Sequence, residues 1–315
     1  MQEMTIQVET QPGSTSKLHY YMWSPASPSA WLHIIHGMSE HALRYANLAE
    51  YLRDAGFLVT ADDHRGHGKT GLNSGLLNHI SDANGWQRML EDQRQILHTV
   101  SNQSGLSPVI MGHSMGAMMA LSLAQRTATQ WHNNIRGLVL SAATCGPSLQ
   151  FKLGAMIARF ERARLGLRKP SKILQNLSFD SFNRAFNPNR TASDWLSRDT
   201  HEVDNYVADQ LCGGPLSTQS WVDVLEAMAQ IFRTKSLRGM QSDQPVYLMS
   251  GDQDPVGGRG KKVRSLYRRL SAAGLRELTL SLYPGARHEI FKEINRDEVY
   301  EHLLSWLESR FAKSP

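Results

Sequence analysis

Residues 108–124 read PVIMGHSMGAMMALSLA: an apolar run, the pentapeptide Gly112-His113-Ser114-Met115-Gly116, and a stretch of small residues suited to a helix. G-x-S-x-G by itself is a weak signal, because glycine and serine are common. Its setting makes it specific, since a strand precedes it and a helix follows. A strand that turns this sharply into a helix forces strained backbone angles on Ser114. Gly112 and Gly116 keep side chains out of the space where the turn closes on its neighbours. The turn exposes the serine Oγ and sets it near a helix N-terminus, which favours developing negative charge. The bland alternative is a serine that ends a strand in an ordinary loop.

Outward from this turn the chain alternates. Short apolar runs stand at 31–37 (WLHIIHG), 57–63 (FLVTADD), 135–143 (IRGLVLSAA), 245–254 (PVYLMSGDQD) and 278–288 (LTLSLYPGARH). Runs that are apolar on both faces suit strands buried between two helical layers of a parallel sheet. Helical patterns are read at 42–55 (with Gly56 to end it), 115–126, 259–273 and 295–311. The opening segment alternates polar and apolar residues, breaks at Pro12-Gly13 and resumes at Leu18 to Trp23, as an antiparallel hairpin at a sheet edge would. The expected fold is α/β, a doubly wound, mostly parallel sheet. Residues 144–235 lack the rhythm and are expected to be a helical cap inserted into a core of 1–143 and 236–315.

Composition sets outer bounds. A chain of 315 residues with 41% hydrophobic and 20% charged residues is neither disordered, fibrous nor a coiled-coil rod. It can bury a large core without disulfides or metal. Cys145 and Cys212 alone provide no disulfide framework and no four-cysteine zinc site, although one bridge between them stays open. The net charge of +5 is a mild basic excess, and no binding motif or interleaved aromatics point to nucleic acid. No secretory leader or membrane span is visible, so a cytoplasmic protein is expected.

A serine hydroxyl is a poor nucleophile and needs a base, itself oriented by an acid. In strand–turn–helix sites of this kind the order along the chain is Ser, Asp or Glu, then His. His288, in Tyr283-Pro284-Gly285-Ala286-Arg287-His288, follows the last strand. Asp252 and Asp254 both follow the strand before it, and Asp252 is the one suited to capping the turn. Asp62, Asp63, His64 and His67 invite a metal reading, but a hydrolytic metal site needs more ligands in set geometry and no helical H-E-x-x-H occurs; no metal or cofactor is expected. His113, beside the serine, is expected to point away and pack.

Four segments together resemble the α/β-hydrolase family, in its monoacylglycerol lipase, lysophospholipase and serine-aminopeptidase-like branch. They are HGMSEHALRY (36–45), DDHRGHGKT (62–70), GHSMG (112–116), and GDQDPVG (251–257) paired with YPGARHE (283–289). The resemblance spans nearly the whole chain in order. It implies a Ser114–Asp254–His288 triad, with the backbone N–H groups of Met38 and Met115 as the oxyanion hole. It implies that Glu40 and His41 brace the oxyanion loop, that 62–67 shapes a loop beside the nucleophile, and that the insertion shapes an acyl pocket. Ser39 stands where lipases of this branch often carry glycine.

Leu153, Met156, Ile157 and Phe160 recur at i, i+3, i+4 and i+7, with Lys152, Arg159, Arg162, Arg164, Arg168, Lys169 and Lys172 around them. Such a segment, 152–172, can lie on an anionic membrane surface or turn its stripe toward the pocket. Met156, Phe160, Trp221 and Met228 are candidate substrate contacts, and Trp195 and Phe232 are further aromatic candidates along the substrate route. The expected activity is hydrolysis of carboxylic esters of single-chain lipids, lysophospholipid or monoacylglycerol, through an acyl-enzyme. The rivals are a serine aminopeptidase, holding a free amine with Asp194, Asp199, Glu202, Asp204 or Asp209, and a catalytically silent binding protein.

Overall fold

The computed structural model describes residues 1–11, 14–127 and 135–311. Among these, eight strands form one sheet in the order β1-β2-β4-β3-β5-β6-β7-β8. β1 (Gln2–Gln11) and β2 (Ser14–Trp23) pair antiparallel at the edge, and β2 pairs antiparallel with β4 (Phe57–Asp62). The Pro12-Gly13 break lies outside the described residues. β3 (Ala30–Ile35), β4, β5 (Pro108–His113), β6 (Gly137–Ser141), β7 (Val246–Gly251) and β8 (Leu278–Tyr283) are parallel. β3 to β7 are buried at every residue, the signature of strands covered on both faces.

The two faces carry separate cores. α1 (Ala46–Asp54) and the terminal α12 (Arg296–Phe311) cover one, where Leu48, Leu52, Leu303 and Leu307 meet Leu32, Val109 and Val139. On the other lie α3 (Gly85–Ser104), α4 (Met115–Thr127) and α11 (Lys261–Ala273), with Leu90, Leu121 and Leu266 against Ile110, Leu138 and Leu248. Val109 and Ile110 thus face opposite cores, as the two-residue period of a strand requires. Two helices were not among those expected: the short α2 (Gly68–Asn73) and the long α3. α3 was legible, because Trp86, Met89, Leu90, Gln93, Ile96, Leu97 and Val100 follow helical spacing and are all buried.

Between β6 and β7 the chain forms α5 (Ser148–Leu165), α6 (Lys172–Leu177), α7 (Phe179–Asn183), α8 (Thr200–Ala208), α9 (Thr218–Ile231) and α10 (Thr234–Leu237). Cys145 and Cys212 are both free thiols. Among the described residues no helix is long and apolar enough to cross a membrane.

Candidate active site

The turn after β5 is as tight as its glycines suggest. Ser114 has a left-handed φ of 52°, and its N–H donates to the Ser141 carbonyl at 2.9 Å. A Cβ on Gly112 would lie 2.2 Å from the Gly116 oxygen, and one on Gly116 would lie 2.0 Å from the Ile35 oxygen. No side chain fits at either position, so the backbone of the turn rests directly on β3. Ser114 itself is half-buried, at the floor of a chamber described below.

His288 follows β8 and lies 3% exposed, with Nδ1 at 2.9 Å from Asp254 Oδ1. Asp254 is fully buried after β7 and also accepts from the Val256 N–H at 2.9 Å. Burial disfavours the charged imidazole, but the Asp254 carboxylate outweighs it and raises the His288 pKa above the ordinary value. Asp252 points elsewhere: its Oδ1 accepts from the Gly285 N–H at 2.8 Å, which ties the β7 loop to the turn that carries His288. His113 sits with its ring centroid 4.8 Å from that of His288 and its Nδ1 3.1 Å from Ser141 Oγ. Burial pushes its pKa down to about 3, so it stays a neutral packing partner. Ser114 and His288 line the same small cleft, under the Trp195 ring, whose centroid is 4.9 Å from that of His288.

Across from them runs the loop after β3. Among the described residues, neither the Met38 N–H nor the Met115 N–H donates to a protein acceptor, and both residues border Ser114 in the chamber. Two free N–H donors beside a hydroxyl could receive a negatively charged oxygen forming there. The loop is held from several sides. Glu40 Oε1 accepts from the Gly37 N–H at 2.5 Å and from Tyr45 Oη at 2.9 Å. Arg44 bridges Glu40 Oε2 at 2.9 Å and, with both terminal nitrogens, Glu289 at 2.5 and 2.7 Å. Burial alone would raise the Glu289 pKa, but the Arg44 guanidinium holds it below the usual carboxylate range.

His64 supports the loop from below. Its Nδ1 meets Asp62 Oδ2 at 2.7 Å and its Nε2 meets the His36 carbonyl at 3.1 Å, while the His36 ring stacks on it with centroids 3.7 Å apart. Two acceptors call for two donors, and the Asp62 carboxylate raises the His64 pKa despite full burial. Asp63 accepts from the Ala42 and Lys69 N–H groups, at 2.9 and 2.8 Å. His67 turns its Nδ1 to the Arg65 carbonyl at 3.0 Å. Asp62, Asp63, His64 and His67 thus each hold the loop through at least one bond, while Asp62 Oδ1 and His67 Nε2 are buried without a hydrogen-bond partner among the described residues. Ser39 adopts a φ of 57°, as its place in the pattern of glycines suggests, and its Oγ donates to the Gly214 carbonyl at 2.8 Å. His41 reaches the insertion too, with Nε2 2.7 Å from Asp209 Oδ2.

Above Ser114 lies a chamber of about 720 Å³ between the sheet's end and the helices that join β6 to β7. Met38, Met115 and Met118 form its floor; Trp195, Trp221, Leu225 and Met228 come from the insertion. Met156 and Phe160 do not line it: they are 61% and 66% exposed on the outer face of α5. The predicted stripe splits, because α5 packs on α9 through small residues. A Cβ on Gly154 would lie 3.4 Å from the Leu225 side chain, and Ala155 and Ala158 are buried. That seam leaves Leu153 and Ile157 at the rim and turns Met156 and Phe160 to solvent. Phe232 also lies outside the lining, packed on Phe151 with ring centroids 5.5 Å apart.

The acidic residues considered for an amine subsite are engaged elsewhere. Asp194 accepts from the Thr191 N–H at 3.1 Å, Asp199 caps α8, Glu202 meets Lys292 at 3.2 Å, Asp204 meets Arg190 at 2.6 Å, and Asp209 meets His41. Among the described residues no carboxylate lines the chamber. The Glu40–Arg44–Glu289 bridge was missed in the sequence as a unit, since 245 residues separate Arg44 from Glu289. Its signal was the presence of Glu40 and Arg44 in one resembling segment and Glu289 in another.

The family model described as "Serine aminopeptidase, S33" matches residues 26–295. A monoacylglycerol lipase of Mycolicibacterium smegmatis is 28% identical over 300 residues, 93% of each chain. A monoglyceride lipase of Rattus norvegicus is 27% identical over 297 residues, 92% of this chain and 86% of its own. The crystal structure of a thermostable carboxyl esterase from Bacillus coagulans, solved with glycerol, superposes with a TM-score of 0.87 at 26% identity, covering 99% of this chain and 100% of that one. With its parallel sheet and the sharp serine turn after β5, the chain belongs to the S33 serine aminopeptidase family, on the monoacylglycerol-lipase-like branch of the α/β hydrolases.

Proposed function

We propose that this protein hydrolyses carboxylic esters of single-chain lipids, of the monoacylglycerol or lysophospholipid type, through a Ser114–Asp254–His288 triad. The observation that carries this reading is the chamber: a largely apolar space of about 720 Å³ opening directly on Ser114 suits one long acyl chain. The lipase relatives and the esterase fold neighbour support the same chemistry.

In this mechanism Ser114 Oγ attacks the ester carbonyl while His288 Nε2 takes its proton. The carbonyl oxygen gathers charge toward the Met38 and Met115 N–H groups. His288 then gives the proton to the departing alcohol, leaving an acyl-enzyme on Ser114. Water, deprotonated by His288, attacks the acyl carbon; the fatty acid leaves and Ser114 Oγ recovers a proton. Asp254 holds the imidazole in one tautomer and stabilises the imidazolium.

The outer surface of the insertion supports peripheral contact with lipid through 152–172. Leu149, Leu153, Met156, Phe160, Leu167, Ile173 and Leu177 are all exposed there, and Leu149, Leu153 and Leu177 also border the chamber. Arg159, Arg164 and Arg168 have acidic partners, whereas Lys152, Lys169 and Lys172 are exposed beside the apolar rim. A chain-bearing substrate would then enter from the bilayer without crossing water.

The test is a panel of short and long p-nitrophenyl esters, a monoacylglycerol, a lysophospholipid and an aminoacyl amide, offered to the wild type and to Ser114→Ala. Cleavage of the long-chain lipids by the wild type, with the variant inert, is the expected result. Cleavage of the amide alone would replace this reading with a peptidase.

A further inference from the structure

The chamber holds one charge. Among the described residues that line it, Lys262, in the first turn of α11, is the sole ionisable side chain; the rest are apolar or carry neutral polar groups such as Thr144, Gln150 and Ser178. Lys262 is half-buried, and among the described residues it has neither a hydrogen bond nor an ion pair from its ammonium. Several interior cations elsewhere are matched by carboxylates, as Arg44 is by Glu40 and Glu289, Arg65 by Asp92 and Arg198 by Glu293, and the half-buried Arg269 and Arg287 donate to backbone carbonyls. The carboxylate that feels the Lys262 charge is Asp254, which is already committed to His288 and the Val256 N–H.

The lysine is not loosely placed. Its N–H donates to the Gly257 carbonyl at 2.9 Å, and its stem runs over Gly258, where a Cβ would lie 3.2 Å from Lys262 Cγ and 3.5 Å from Cδ and Cε. Gly258 has a φ of 61°, so both its conformation and its missing side chain let the stem lie flat on the loop. Lys262 lines the chamber together with Thr144 and Pro147, from the stretch after β6, and Val256, from the loop after β7. Burial in these surroundings pushes the ammonium pKa down, against the pull of Asp254. An unmatched cation in an apolar space is costly unless something neutralises it.

We infer that the substrate this chamber selects carries an anionic group, a carboxylate or a phosphate, which Lys262 neutralises. This rests on the reading of the chamber as the substrate site of an ester hydrolase. Lys262 is then a specificity residue and takes no part in the bond-breaking steps at Ser114. A carboxylate would sit on the acyl side, as the free end of a dicarboxylic half-ester. A phosphate would sit on the alcohol side, as in a lysophosphatidate.

Two matched pairs, each below its micelle concentration, separate these sources: a monoacylglycerol against the lysophosphatidate of the same chain, and a fatty acid methyl ester against the monomethyl ester of the corresponding diacid. The ratio of kcat/KM, anionic over neutral, is measured for the wild type, Lys262→Met and Lys262→Arg. Because it is a ratio within each protein, a general loss of activity or folding cancels. A charge-assisted contact predicts a wild-type ratio of roughly tenfold or more in at least one pair. That ratio should fall toward one in Lys262→Met and be largely kept in Lys262→Arg. Which pair responds identifies the source of the anion. Ratios that are the same in wild type and Lys262→Met, with the neutral esters cleaved, overturn the inference and leave the esterase reading standing. Cleavage of none of the four esters overturns both.

Discussion

In the proposed mechanism His288 accepts the Ser114 proton only while its Nε2 is free, so the pKa that Asp254 raises would set the working range. The sign is definite. kcat/KM on a soluble ester should climb with pH through an inflection above the ordinary imidazole value of about 6.5. Asp254→Asn removes the charge that raises it and favours the wrong tautomer; a rate loss of about 10³–10⁴-fold and an inflection at lower pH are expected in the same pH–rate series. An inflection unmoved by the substitution would detach Asp254 from the base. Gly116 allows an equally local test. Gly116→Ala would drive its Cβ into the Ile35 carbonyl, so a loss of about 1–3 kcal/mol in urea unfolding should accompany the loss of turnover.

At the scale of one element, α5 shows how a helix of mixed character chooses its faces. Gly154, Ala155 and Ala158 allow close approach to α9, and the bulky residues are turned to the rim and to solvent. If that outer face meets lipid, Met156→Glu with Phe160→Glu should cut flotation with anionic vesicles several-fold. The loss of hydrolysis should be confined to vesicle-borne substrate, with a short soluble ester cleaved as before. Equal flotation of the double variant and the wild type would remove membrane contact from the account. The contribution of each of these apolar side chains, about 1.5–3 kcal/mol when fully buried, is large enough for two to be seen.

In the whole molecule, the parts of the site come from loops far apart in the chain, and charged bridges hold them in register. Arg44 joins the loop after β3 to the residue after His288, while Ser39 and His41 tie that loop to Gly214 and Asp209, between β6 and β7. Arg44→Met would leave Glu40 and Glu289 buried without their partner, which should cost about 3–5 kcal/mol in denaturant unfolding and lower kcat. Adding Glu289→Gln should return much of that stability by removing one stranded charge. A double variant no more stable than the single one would mean that Arg44 acts by packing, for instance over the Tyr206 ring 4.8 Å away.

The parallel sheet, the serine turn, and the positions of Ser114 and His288 after β5 and β8 were legible in the sequence, because each depends on short-range pattern. Apolar runs of strand length, glycines where no Cβ fits, and histidine after the last strand are local facts. α3 was equally legible by its period, though it was not among the helices expected. Residue type alone could not choose between Asp252 and Asp254; the resemblance pointed to Asp254, and the structure sets Asp254 against His288 and Asp252 against the Gly285 turn. The fates of Met156 and Phe160 were likewise decided by the α5–α9 packing, because a helical stripe specifies a face and not what covers it. Lys262 stood among ordinary surface cations in the sequence; only the enclosure of the chamber by the insertion set its charge in an apolar space. Local pattern therefore determined the scaffold and the sharp serine turn, and tertiary packing decided which side chains share the volume above it.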